Sequence, residues 1–184
     1  MEHTAVKPRI STTQMTVTAL MTAITCILGP MALAIPVSPV PISLTNLVIY
    51  FMAYVLGAKL STASYCIYLL LGAVGLPVFS GFAGGPGKLL GPTGGYLIGF
   101  IFLAAIGGYF VERFPANRLL HVTGMVLGTA VCYLFGTLWL SGQLGLDFMA
   151  GLGVGVIPYL PGDAAKIAVA VIVGPQLRRA AVRG

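Results

Sequence analysis

The chain has 184 residues, of which 58% are hydrophobic and only 8% are charged. Soluble domains carry about 25% charged residues, so this composition excludes a single soluble core covered by a polar surface. The formal net charge is +6. The placement of the basic residues indicates that this charge reflects orientation in a membrane and not binding to nucleic acid.

The apolar runs are continuous, whereas the strands of a membrane barrel would alternate apolar and polar residues. Because a membrane helix needs about 20 apolar residues, the runs predict an all-α integral membrane protein with six spans. The whole chain, 1–184, is interpreted as one transmembrane domain, and the glycine-rich segment 148–160 as a re-entrant or short helical piece. The predicted spans are roughly 15–35, 42–58, 60–78, 94–111, 119–141 and 163–177.

The basic residues fall mostly on one side of the predicted spans. With the N-terminus inside, eight of the ten Lys and Arg residues lie on the inner face, which is the asymmetry that the positive-inside rule expects. Seven spans would place the C-terminal arginines outside, so the charges favour six spans with both termini cytoplasmic. The inner residues are Lys7, Arg9, Lys59, Arg113, Arg118, Arg178, Arg179 and Arg183.

The sequence offers little for catalysis. Four acidic residues and two histidines cannot form paired carboxylates, a metal cluster or a Ser/His/Asp set, so we expect neither an enzyme nor a metal or cofactor site. A phosphate-binding P-loop needs Ser or Thr after its Gly-Lys pair to hold magnesium. Here Gly87-Lys88 is followed by Leu89, so the protein is expected to have no ATPase of its own.

The first polar feature along the chain is the segment IPVSPVPISLTN, 35–46. Its three prolines predict a stiff, extended connection. Two interpretations stay open: a plain rigid turn, or an outer loop that lines a binding cavity with Thr45 and Asn46 just inside the second span. The amide of Asn46 both donates and accepts hydrogen bonds, which suits a neutral polar ligand.

The second feature is the outer loop at 79–93. Eight of the 22 residues in 79–100 are glycines, and glycine allows the backbone to approach a ligand closely. A flexible linker would carry serines and charges, whereas this loop carries aromatic residues. We interpret it as a lid over a ligand, with a passive loop as the alternative. The candidate contacts are Phe79, Gly84, Gly85 and Tyr96.

The third feature is the segment 158–179. Pro161-Gly162 is expected to break the chain, with Asp163 as an N-cap and Lys166 on the same helical face. A helix over 163–177 spans only about 22 Å, so the last helix is expected to be interrupted and short at its outer end. A charge pair inside a membrane indicates a functional site: Lys166 would bind a carboxylate, or Asp163 would accept N–H groups. A structural ion pair is the alternative.

Three stretches carry a family resemblance: VFSGFAGGPGKLLGPTGGYLIGF (78–100), PVPISL (39–44) and PYLPGDAAKIAVA (158–170). They resemble the BioY family, the biotin-specific substrate-binding (S) subunits of energy-coupling factor (ECF) transporters, over nearly the whole chain. The resemblance implies an outward-facing biotin pocket in a bacterial or archaeal cytoplasmic membrane. It also implies three partner subunits, namely a transmembrane coupling subunit and two cytoplasmic ATPases.

The resemblance also assigns residues. The biotin contacts of the family's last helix correspond to Asp163 and Lys166, and its glycine-rich lid corresponds to 81–96. Its A-x-x-x-A docking motif for the partner corresponds to Ala19 and Ala23, although such small residues also serve packing within one chain. The family often carries Gln after the PI[ST]L run, where Asn46 would supply the amide here. Alternatives are an S subunit for another vitamin, such as thiamine or riboflavin, and a self-sufficient channel or facilitator.

Overall fold

The computed structural model describes residues 10–36 and 38–183. Within these ranges the regular secondary structure is helical apart from one β-hairpin, with an isolated β-bridge between Phe79 and Ala83. A 3-10 turn at Ile157–Tyr159 links the last two helices. The elements in chain order are α1 (Thr12–Leu28), β1 (Ala32–Ile35), β2 (Ser38–Ser43), α2 (Thr45–Ala73), α3 (Pro86–Leu90), α4 (Gly94–Arg113), α5 (Arg118–Leu144), α6 (Phe148–Gly155) and α7 (Leu160–Arg183).

The first helix is shorter than the sequence predicts. It begins with a capping box in which Ser11 Oγ accepts a hydrogen bond from the Gln14 N–H, and it ends at Leu28. Residues 32–35, which were predicted to be helical, form β1 and pair antiparallel with β2. The physical reason is that a short apolar run fits a strand or a helix equally well, and that Pro30 prevents α1 from continuing.

The second and third predicted spans form one element, α2, with a break at Gly57. This residue has φ 71° and ψ −169°, a conformation that is essentially restricted to glycine. Leu56 and Leu60, on either side of the break, line one groove with Ser11 and Gln14 at the start of α1. At the other end, residues preceding and following α2 share a groove near Phe82, so the chain reverses direction at Gly57.

Substitution of Gly57 is expected to destabilise the protein. A Cβ atom at this position would lie 1.9 Å from Glu112 Oε1, and the backbone conformation alone costs a residue with a side chain about 1–3 kcal/mol. Gly57→Ala should therefore lower the thermal unfolding temperature of the purified protein. Gly142→Ala on α5 is the matched control, because a Cβ there meets nothing within 4 Å. An unchanged unfolding temperature for Gly57→Ala would contradict the tight turn.

The described helices include several that could cross a bilayer. Within residues 10–36 and 38–183, four helical segments are long and apolar enough by length and composition. Helix α1 is apolar but has only 17 residues. The four segments are Thr45–Ala73, Gly94–Arg113, Arg118–Leu144 and Phe148–Ala181.

Helix α4 packs between α2 and α5 through small residues. The Cα of Gly108 lies against Ala58 of α2, and that of Gly99 lies against Cys132 of α5; a Cβ at either glycine would meet the facing backbone within 3.0 Å. Small residues of this kind allow membrane helices to approach closely. Large aromatic side chains, including Tyr65 and Tyr68, fill the space beside these contacts and are fully buried.

The last helix differs from its prediction. Helix α7 begins at Leu160 and has 24 residues, a length of about 36 Å, so the expectation of a short helix over 163–177 is wrong. Pro161 and Gly162 lie in its first turn, where proline is tolerated because the N–H groups have no helical partner. Asp163 also lies in that turn and is not the N-cap. The interruption occurs earlier, at Val156 and the 3-10 turn.

Candidate functional site

A cavity lies where β2, the first residues of α2 and α4, the middle of α5 and the first turns of α7 meet. Apolar side chains of α4, among them Leu97, Phe100 and Leu103, line one wall. The polar wall contains both charged residues that line the cavity, Asp163 and Lys166. An apolar wall facing a few polar groups is typical of a small-molecule site.

The carboxylate of Asp163 is at the centre of the polar wall. The residue is only 8% exposed. Its Oδ1 accepts hydrogen bonds from Asn46 Nδ2 at 2.7 Å and from Lys166 Nζ at 3.1 Å, and its Oδ2 accepts one from the Tyr133 hydroxyl at 2.5 Å. Three different helices therefore hold this carboxylate, which offsets the cost of placing a charge in an apolar bundle.

The ammonium group of Lys166 also makes three hydrogen bonds. Its Nζ donates to the Ser43 carbonyl oxygen at 2.8 Å, to Asn46 Oδ1 at 2.9 Å and to Asp163 Oδ1 at 3.1 Å. The salt bridge joins residues one helical turn apart, with side-chain exposures of 14% for Lys166 and 11% for Asp163. Lys166 thus connects α7 to α2 and to the β-hairpin.

The β-hairpin forms a larger part of the cavity than the glycine-rich loop does. Residues 40–43 of β2 line the cavity, while the loop at 79–93 contributes Ser80 and Thr93. Two hydrogen bonds hold the hairpin in place, one from Lys166 Nζ to Ser43 and one from the Tyr159 hydroxyl to the Val40 carbonyl oxygen. Of the two interpretations of 35–46, the structure supports the one in which this segment lines a cavity.

The structure brings five of the residues predicted from sequence to the cavity. They are Thr45, Asn46, Tyr96, Asp163 and Lys166. The hydroxyl group of Tyr96 also donates to the Gly155 carbonyl oxygen at 3.1 Å, which links α4 to the end of α6.

The structure does not bring the other three predicted contacts to this cavity. Phe79 is fully buried in the core, with its ring 5.5 Å from that of Tyr68. The Gly85 N–H donates to the Gly72 carbonyl oxygen at 2.7 Å, and Gly84 lies against the backbone of Leu76. These contacts fasten the loop to the end of α2. Gly84 leaves no room for a side chain, whereas Gly85 has φ 84°, a left-handed conformation that favours glycine.

Sequence reasoning missed Tyr133 and Tyr159, both of which line the cavity and hold its polar groups. A signal for Tyr133 was present in α5. Thr129, Tyr133 and Thr137 recur every four residues, which places them on one helical face, and the Thr129 hydroxyl is 2.7 Å from that of Tyr50. Such a polar stripe within an apolar span indicates a face turned toward the interior of the bundle.

Ala19 and Ala23 lie away from the cavity. Both are exposed on α1, and they line an apolar groove between α1 and the second half of α2 together with Ala63 and Ile67. Their small side chains leave the α1 backbone accessible from outside. This exposure argues against a role in packing within the chain.

The comparisons with known proteins agree with these features. A sequence model of the BioY family matches residues 1–183. The biotin transporter BioY of Thermotoga maritima is 37% identical over 147 residues, covering 80% of this chain and 86% of that protein. The biotin transporter BioY of Rhizobium etli is 37% identical over 177 residues, covering 90% of this chain and 92% of that protein.

A solved structure also shares this fold. The crystal structure of the S-component for biotin from an ECF-type ABC transporter has a TM-score of 0.85 and 32% sequence identity, covering 95% of each chain. The similarity thus extends over nearly the whole sequence and over the arrangement of the helices. On this basis, the protein belongs to the BioY family.

Proposed function

We propose that this protein is the biotin-binding S subunit of an ECF-type vitamin transporter. The observation that carries the proposal is the cavity in which Asp163, Lys166 and Asn46 form one hydrogen-bonded polar wall and apolar side chains of α4 complete the lining. Biotin has the matching chemistry, because its ring head carries a urea with two N–H donors and its body is apolar. Proteins similar to this chain are biotin transporters and a biotin S-component.

Asp163 is the proposed contact for the urea. Asp163 lines the cavity, and among the described residues its Oδ2 accepts a hydrogen bond from Tyr133. A carboxylate oxygen has two lone pairs, so Oδ2 can accept a further N–H from the ligand. Asn46, which donates to Asp163 Oδ1, and Thr45 also line the cavity, and Phe100, Leu103 and Tyr96 would contact the apolar body.

We further propose a six-span topology with both termini cytoplasmic. The spans are α1, the two halves of α2 (45–56 and 58–73), α4, α5 and α7. The Arg178 guanidinium donates to the Val111 carbonyl oxygen at 3.2 Å, so the end of α7 meets the end of α4 on the side opposite the cavity. Lys7 and Arg9, and the side chain of Arg183, lie outside the described residues. The remaining inner-face cations are Lys59, Arg113, Arg118, Arg178 and Arg179.

The partners follow from the same proposal. The chain has no P-loop for ATP, so energy would come from two cytoplasmic ATPases acting through a transmembrane coupling subunit. The groove along α1 at Ala19 and Ala23 is the proposed docking face, because small exposed residues allow a partner helix to approach closely. The complex would lie in the cytoplasmic membrane of a bacterium or archaeon.

A bulky residue in this groove is expected to separate docking from binding. Ala23→Leu should leave the affinity for biotin unchanged and reduce ATP-driven uptake severalfold, because the added side chain blocks a partner helix. Ala168→Leu on α7 is the matched control, since Ala168 is also exposed and lies outside the groove. A loss of biotin affinity in Ala23→Leu would instead assign Ala23 to packing within the chain.

The transport role is tested by flux measurements with labelled biotin. Liposomes containing this chain alone are expected to retain biotin, while liposomes that also contain the coupling subunit and ATPases should move it only when ATP is present. Passive flux of biotin or other small solutes through the chain alone would favour a channel or facilitator and contradict the proposal.

A further inference from the structure

The ammonium group of Lys166 has no hydrogen-bond donor left for a ligand. A lysine ammonium has three N–H donors, and Lys166 Nζ already donates to Ser43, Asn46 and Asp163 at 2.8–3.1 Å. A ligand carboxylate could bind Lys166 only by displacing one of these partners. Loss of the Ser43 bond would detach the β-hairpin from Lys166. Loss of the Asn46 or Asp163 bond would break the network that Lys166 holds together, although the Leu47 N–H and Asn46 Nδ2 would still bond those two oxygens.

The cavity also has no uncompensated positive charge. Among the described residues that line it, Lys166 is the one Lys or Arg, and its charge is balanced by Asp163 at 3.1 Å. An anionic ligand group would therefore enter a site of zero net charge that already contains a carboxylate. The distribution of charge gives no preference for an anion over a neutral group of the same shape.

The polar wall can still accept hydrogen bonds from a ligand. Asp163 Oδ2 has a second lone pair that no described residue uses, and the Tyr133 hydroxyl that donates to it keeps its oxygen as a further acceptor. This arrangement selects a ligand that presents N–H groups. It matches the urea head of biotin and makes no use of the charge at the other end of the molecule.

We propose that the cavity recognises the N–H-bearing head of its ligand independently of charge at the ligand's far end, so that neutral biotin amide and biotin methyl ester are ligands as well as biotin. In this proposal, which rests on the proposed function, Lys166 is a positioning residue. It fixes Asp163, Asn46 and the Ser43 carbonyl group, and it does not bind the ligand carboxylate.

The test is equilibrium binding of biotin, biotin amide and biotin methyl ester to the purified full-length protein in detergent. The three dissociation constants are expected to agree within about threefold. A hydrogen bond between Lys166 and the carboxylate would make the amide bind about tenfold or more weakly. Strong binding of biotin with such a weakened amide overturns this inference alone, whereas failure of biotin itself to bind contradicts the proposed function.

A variant series separates positioning from direct contact. Lys166→Met removes the three donors, and it should weaken biotin and biotin amide by the same factor because both depend on Asp163. Lys59→Met is the matched control, since Lys59 is exposed beside the break in α2 and away from the cavity; it should change neither affinity. A loss confined to biotin would assign the carboxylate contact to Lys166. The wild-type ligand comparison remains decisive if Lys166→Met fails to fold.

Discussion

Replacing Asp163 with Asn is expected to reduce biotin affinity by about 30-fold to 4,000-fold. Loss of one partner of a buried, hydrogen-bonded charge pair costs about 2–5 kcal/mol, and each 1.4 kcal/mol is a factor of about ten in affinity. The affected residue is 8% exposed and bonded to Asn46, Lys166 and Tyr133. The measurement is equilibrium binding of labelled biotin, with thermal unfolding recorded on the same samples.

A loss of binding could also arise because Lys166 is left as an unpaired buried charge. The double variant Asp163→Asn/Lys166→Met removes that charge, so it should unfold at a higher temperature than Asp163→Asn while still failing to bind biotin with the wild-type affinity. Asp147→Asn is the control for a carboxylate on the exposed surface. Recovery of wild-type affinity in the double variant would contradict a direct role for Asp163.

Tyr133→Phe is expected to weaken biotin binding by about 10-fold to 100-fold. The hydroxyl group of Tyr133 donates to Asp163 Oδ2 at 2.5 Å, and a hydrogen bond to a charged group contributes about 1.5–3 kcal/mol. Without it, Asp163 Oδ2 loses the hydrogen bond that fixes its position. The change keeps the ring in place, so the unfolding temperature should change much less than the affinity.

The control for this variant is Tyr109→Phe on α4, because Tyr109 is 54% exposed and far from the polar wall. Its affinity for biotin should equal that of the wild type. A Tyr133→Phe protein that binds biotin with wild-type affinity would show that the ligand does not depend on the orientation of Asp163.

The polar wall was predictable from sequence because charges are scarce in this chain. Asp163 and Lys166 lie one helical turn apart in an apolar stretch, and Asn46 follows a stiff proline segment. Each is a charged or polar side chain in an apolar sequence, and this marked it as a candidate. Their mutual hydrogen bonds were not predictable, since Asn46 and Asp163 are separated by 117 residues. The same limit applies to Tyr133: the four-residue spacing of Thr129, Tyr133 and Thr137 indicates an inward face of α5, but it does not show that the Tyr133 hydroxyl donates to Asp163, 30 residues away.

The errors in the fold have local causes. Residues 32–35 are apolar enough for a helix, but they form a strand beside β2. Pro161 suggests a break, yet the first helical turn accepts proline, so α7 begins at Leu160. The glycines of the outer loop suggested contact with a ligand, whereas Gly85 donates its N–H to Gly72. In each case the residue type was compatible with two roles, and the tertiary contacts determined which one applies.

The most direct measurement is the binding of biotin to the purified full-length protein. We expect saturable binding at one site per chain with a dissociation constant below about 1 μM, corresponding to a binding free energy of about −8 kcal/mol or stronger. Thiamine and riboflavin should fail to compete. Absence of biotin binding at micromolar concentrations, or displacement of biotin by either of the other vitamins, would contradict the assignment of this cavity to biotin.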